Sequence, residues 1–221
     1  MSHYPRPIPM TTQLKALRGA TAITGVGLFG NGETPGYTEV ELLAEAAQRA
    51  VADAGLTMQD IDGLCTASVL STMWPMPVIE YLGINPRFID GTMLGGSSFI
   101  AHLMPAMLAL QAGQCDNVLV CYGSTQRSGT MNRAAVAAAR RQMDPQPYEM
   151  PYDPVFPVSA YAMATAAHMA KFGTTRRQLA QVAVSARAWA QKNPDAFERG
   201  PLTVDDVLKA RMVASPLTVR D

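Results

Sequence analysis

The sequence predicts an α/β layered fold, and three observations carry that expectation. Continuous apolar runs at 20–30, 61–70 and 115–124 read as buried strands. Helical patterns separate them, and strands alternating with helices build layers. One helical stretch, "SFIAHLMPAMLALQA" (98–112), is apolar on every side and therefore needs cover all round. A chain of 221 residues with 48% apolar and 16% charged residues is long and apolar enough to bury a core as one unit.

The elements follow in order. Residues 1–19, with Pro5, Pro7 and Pro9, read as an N-terminal arm, since those prolines break the apolar segment a signal peptide needs. "ATAITGVGLFG" (20–30) reads as a buried strand running into a loop. Gly25, Gly27 and Gly30 have the G-x-G-x-x-G spacing, but the helix start lies at Thr38-x-x-Glu41, several residues too late for a dinucleotide loop. The glycines therefore read as a flexible turn. "TEVELLAEAAQRAVADAG" predicts an amphipathic helix with Val40, Leu43, Ala47, Ala50, Val51 and Ala54 on one side and Gly55 at its end. "IDGLCTASVL" predicts a strand, "PVIEYLG" a short helix, "RFIDG" a short extended piece, and the apolar helix then runs to Gly113 with Pro105 set to kink it.

"CDNVLVCYGS" (115–124) predicts another buried strand. From about 126 to 157 the periodicity breaks into an alanine-rich helix and the proline-rich "DPQPYEMPYDPVFPV", an ordered excursion of the kind that carries binding residues. Arg127, Arg133, Arg140 and Arg141 are the cations near it; they read as a solvated face, with the phosphates of a ligand as the sharper alternative. "SAYAMATAAHMAKFG" predicts a helix stopped by Gly173. Thr175-x-x-Gln178 caps the next, which Asn193-Pro194 closes, and "TVDDVLKARMV" adds a last short one.

Eighteen basic and eighteen acidic residues cancel, so charge predicts no nucleic-acid partner. No run reaches the ~18 apolar residues of a membrane span. Cys65, Cys115 and Cys121 make neither an even disulfide set nor a C-x-x-C metal motif, so the expectation is a cytoplasmic protein without a metal site, its cysteines acting as small hydrophobes.

The candidate site is the turn that opens the apolar helix, Gly95, Gly96, Ser97 and Ser98. Glycines allow close backbone approach, and free N–H groups at a helix start stabilise an anion or developing oxyanion. The serines read as helix caps, since the G-x-S-x-G elbow of a serine nucleophile is absent. His102, the one ionisable group inside the helix, reads as a hydrogen-bonded core histidine. No catalytic side chain is assigned.

"AITGVG", "ELLAEAAQRAVADAGLTMQDIDGL", "LALQAGQCDNVLVCYGS", "YAMATAAHMAKFGTTRRQLAQVAVSARAWAQKNPDAF" and "LTVDDVLKARMVASPL" follow one another in an order that resembles the first half of a thiolase of the sterol-carrier-protein type. The resemblance covers 20–221 and implies a thiolase-like layered fold: one sheet-plus-helices half with the apolar helix at the centre, in proteins that usually dimerise. In that family a nucleophilic cysteine opens the helix; here the position falls on Gly95 or Gly96. Without a thiolate the family's acyl-enzyme cannot form.

The family's acid/base histidine and second cysteine belong to a second half, and none of His3, His102 and His168 stands in a matching motif. The resemblance thus implies a CoA ester as substrate with no covalently bound cofactor. It implies acyltransferase or retro-aldolase chemistry completed by a second copy, a second thiolase-like half or a small zinc-ribbon partner. A non-catalytic CoA-ester-binding or scaffolding subunit is the alternative, and a dinucleotide oxidoreductase a weaker third.

Overall fold

The structure, a computed structural model, describes residues 17–68, 71, 73–128, 152 and 157–221. Most of the N-terminal arm and of the proline-rich excursion, with its alanine-rich helix, Arg133, Arg140 and Arg141, lies outside the described residues. The chain divides into two compact units, Met1–Asn132 and Arg133–Asp221, the division falling within the stretch read as an excursion.

In the first unit, α1 (Glu39–Asp53) begins with the expected capping box: Glu41 N–H donates to Thr38 Oγ1 at 3.3 Å while Thr38 N–H donates to Glu41 Oε2 at 2.7 Å. A 3-10 turn leads into β1 (Gly63–Thr66), followed by α2 (Pro75–Leu82), β2 (Phe88–Asp90), α3 (Ser98–Ala101), α4 (Leu103–Gln111) and β3 (Val118–Cys121). The strands form a parallel sheet in the order β2-β1-β3, with Gly63 paired to Phe88 on one side and Val118 on the other. All of β1 is buried, as a central parallel strand covered on both faces must be. Leu43, Ala47 and Val51 of α1 pack with Leu64, Val78 and Leu119 in one core, where each fully buried Leu or Val contributes about 1.5–3 kcal/mol.

The 20–30 run departs from expectation: among the described residues, no sheet ladder includes it. Side chains hold it instead. Val26 N–H donates to Asp53 Oδ2 at 2.9 Å, and the Leu28 and Ala20 carbonyls accept from Arg49 and Gln111. Gly25 and Gly27 are neither a pyrophosphate loop nor a loose turn. They press on α1 so closely that a Cβ on either would lie 2.1 Å from a helix carbonyl, of Ala50 and Ala46 respectively. Between this segment and the outer edge of β3 lies a groove of about 1110 Å³.

The predicted single helix is two. Pro105 cannot donate to the Ala101 carbonyl, and the chain breaks at His102 between α3 and α4. Ala106 and Ala109 are buried, whereas Ile100 and Met104 are 74% and 57% exposed, so among the described residues the apolar stripe is covered on one side only.

In the second unit, α5 (Val158–Phe172) ends at Gly173 in the left-handed conformation, and α6 (Arg176–Ala190) starts from the Thr175–Gln178 capping box. Next comes α7 (Val204–Lys209), which stops short of the expected "TVDDVLKARMV" helix: Ala210 is extended, and Met212 and Val213 belong instead to β4 (Met212–Ala214), antiparallel to β5 (Leu217–Thr218). Thr218 Oγ1 donates to the Val207 carbonyl at 3.3 Å, tying that hairpin to α7.

Candidate functional site

The strand-to-helix segment 91–97 joins β2 to α3 and is exposed along its length. Two polar side chains stand out on an otherwise apolar helix: Ser98 and His102 are 0% and 1% exposed. Four residues apart, they share a helix face, and both turn back onto the segment before them. Ser98 Oγ accepts from Leu94 N–H at 2.8 Å and donates to the Gly95 carbonyl at 2.7 Å. His102 Nε2 lies 2.9 Å from the Thr92 carbonyl, which can only accept, so the nitrogen carries the proton and donates. On the other side of the same residue, Thr92 N–H donates to Asp90 Oδ1 at 2.8 Å.

The serines therefore do not cap α3. Ser97 occupies the cap position, but its hydroxyl donates to the Leu94 carbonyl at 3.1 Å, and Ser98 is spent inside the turn. Gly95 has φ +79°, the left-handed region that suits glycine, and a Cβ on Gly95 or Gly96 would meet nothing within 4 Å. The structure thus gathers the four candidate residues into one turn, with Gly95, Gly96 and Ser97 open to solvent and Ser98 beneath. The predicted core histidine is hydrogen-bonded, at one of its two nitrogens. Asp90 and Thr92 were not singled out from sequence; a serine and a histidine at i and i+4 on an apolar helix were the available signal for an inward polar contact.

No thiol reaches this turn. Cys65 is on β1, Cys121 on β3 and Cys115 just before β3, all buried. Burial, with Asp90 and Cys115 adding to it, pushes the Cys65 thiol up to about 12; burial also pushes Cys121 up to about 12 and raises Cys115. Among the described residues, no group of three His, Cys, Asp or Glu side chains is arranged to hold a metal, and no helix is long and apolar enough to cross a membrane.

No family model matches the chain. Among curated proteins, it is 32% identical over 217 residues to a steroid side-chain-cleaving aldolase of Thermomonospora curvata, covering 94% of this chain and 54% of that protein. It is 31% identical over 212 residues to the 17-hydroxy-3-oxo-4-pregnene-20-carboxyl-CoA lyase of Mycobacterium tuberculosis, covering 93% and 54%. Among solved structures, the Ltp2-ChsH2(DUF35) aldolase superposes with a TM-score of 0.77 at 30% identity, over 90% of this chain and 51% of that one. By sequence and by fold, the chain is thiolase-like. This thiolase-like chain spans about half the length of the curated relatives it matches. Its helix-opening turn reads Gly-Gly-Ser-Ser, with no cysteine where the resemblance places the nucleophile.

Proposed function

We propose that this chain forms one half of a protein that cleaves a carbon–carbon bond in a CoA ester by retro-aldol chemistry, with Gly95, Gly96, Ser97 and Ser98 as the turn that receives the thioester carbonyl. The observation that carries the reading is the open turn itself: an approachable backbone, preset by part-buried hydrogen bonds from Ser98 and His102, with every thiol elsewhere and held protonated. Thiolytic chemistry requires a thiolate nucleophile, whereas a retro-aldol step requires none.

In that step a base removes the proton of a β-hydroxyl and the oxygen's electrons form a carbonyl. The Cα–Cβ pair moves into the thioester as an enolate, which then takes a proton at Cα. What the enzyme must stabilise is negative charge on the thioester oxygen, and fixed backbone donors serve that purpose. The names of the two relatives, a steroid side-chain-cleaving aldolase and a carboxyl-CoA lyase, support a steroid-derived β-hydroxyacyl-CoA as the substrate class. The base, the proton donor and cover for the bare side of α3 and α4 come from the remaining half, a second copy or a small zinc-ribbon partner, in a cytoplasmic homo-oligomer.

The test is to incubate the full gene product with a β-hydroxyacyl-CoA bearing a steroid side chain and to follow products by mass spectrometry. Release of a ketone and a shortened acyl-CoA without added free CoA is the expected result. Turnover only of a β-ketoacyl-CoA, and only with free CoA present, overturns it in favour of thiolysis. Saturable binding with no turnover overturns it in favour of a CoA-ester-binding or scaffolding subunit.

A further inference from the structure

We propose that His102 is a positioning residue for the glycine turn, acting through the Thr92 carbonyl and not as an acid or base. The inference rests on the reading of that turn as the thioester site. Three side chains grip the segment: Asp90 takes the Thr92 N–H, and from beneath His102 Nε2–H holds the Thr92 carbonyl while Ser98 engages Leu94 N–H and the Gly95 carbonyl. Thr92 is thus fixed at both its N–H and its C=O, three residues before the chain enters the left-handed conformation at Gly95. The direction in which the N–H groups of Gly95 to Ser97 point follows from that anchor.

The other ring nitrogen sharpens the inference. His102 Nδ1 is buried and has no hydrogen-bond partner among the described residues. A histidine whose task is only to fill the core is better served by an apolar side chain of similar size, which leaves no orphaned nitrogen. What the imidazole adds here is one donor, at Nε2, aimed at one carbonyl. Nor can the ring meet a substrate: it lies beneath the turn, edge-on to Phe99 with centroids 6.0 Å apart.

The chemistry distinguishes the isosteres. Glutamine places an amide N–H near the position of Nε2, asparagine places one near Nδ1, and leucine places none. In the full gene product assayed with a β-hydroxyacyl-CoA, His102→Leu and His102→Asn are expected to lower kcat about 10²-fold with KM held within about twofold, since a misplaced donor acts on the transition state. His102→Gln is expected to recover most of kcat. A second readout needs no turnover: amide hydrogen exchange at 94–97 should speed up in the leucine variant and not in the glutamine variant, with α1 unchanged in both.

Glutamine as damaging as leucine in both readouts overturns the proposal, and so does exchange at 94–97 that no variant alters. An inert wild-type protein that still shows the exchange difference leaves the His102 anchor standing while removing the retro-aldol reading.

Discussion

Gly95 and Gly96 differ in what they would tolerate, although space is open around both. At φ +79°, any side chain on Gly95 is strained, at a cost of about 1–2 kcal/mol, whereas Gly96 carries no such conformation. Of the two positions at which the resemblance allows a nucleophile, Gly96 is the one whose backbone accepts a cysteine. Gly96→Cys should melt within a degree or two of wild type and Gly95→Cys several degrees lower, which calorimetry checks. At pH 8 iodoacetamide should label the new thiol well before any of the three buried ones.

Asp62 offers a pH test. Partial burial raises its carboxyl, but the Asn117 N–H, the Arg87 guanidinium and the Asp116 N–H together outweigh that and leave it below its ordinary value. A depressed folded-state value stabilises the protein above the unfolded value of about 3.9, and the contribution is lost as pH falls through the folded value. Asp62→Asn should therefore cost about 1–3 kcal/mol at pH 7 in urea unfolding, with the difference fading below pH ~4.

At the scale of elements, α1 shows how a sequence signal becomes a fixed position. The Thr38–Glu41 box set its start in advance, and its apolar stripe met β1 and α2 as the spacing required. The helices at 158–172 and 176–190 were legible for the same local reasons, a left-handed glycine stop and a capping box. The 20–30 segment was misread because composition reports burial and propensity but not the neighbour. Its glycines suit close approach to a helix as well as they suit a turn, and only the fold selects between the two. Gly27→Ala should push the segment off α1 and lower stability by about 1–3 kcal/mol, seen as faster exchange at Val26, whose N–H rests on Asp53. The helix break had a signal in Pro105. The polar contacts under the turn had only the Ser98/His102 spacing, and the Asp90 contact to Thr92 depends on where β2 ends, which periodicity does not fix to the residue.

For the whole molecule, the uncovered side of α3 and α4 is the dominant fact. Ile100 and Met104 leave an exposed apolar stripe along α3 and α4, and the chain spans about half the length of the curated relatives it matches. The 221-residue chain alone should bind the dye ANS and elute from size-exclusion chromatography above its monomer mass; a non-binding monomer would mean that the helix repacks onto its own unit. The outer edge of β3 adds a different consequence. Val118–Cys121 ends the sheet with backbone donors and acceptors on a groove flanked by the exposed Ile23, Val26 and Leu28. Such a margin is a template on which any extended peptide can register, native or foreign. The same edge that receives a proper strand would, in a crowded or heat-stressed cell, also recruit wrong ones, so this margin is a hazard to solubility wherever it stays open.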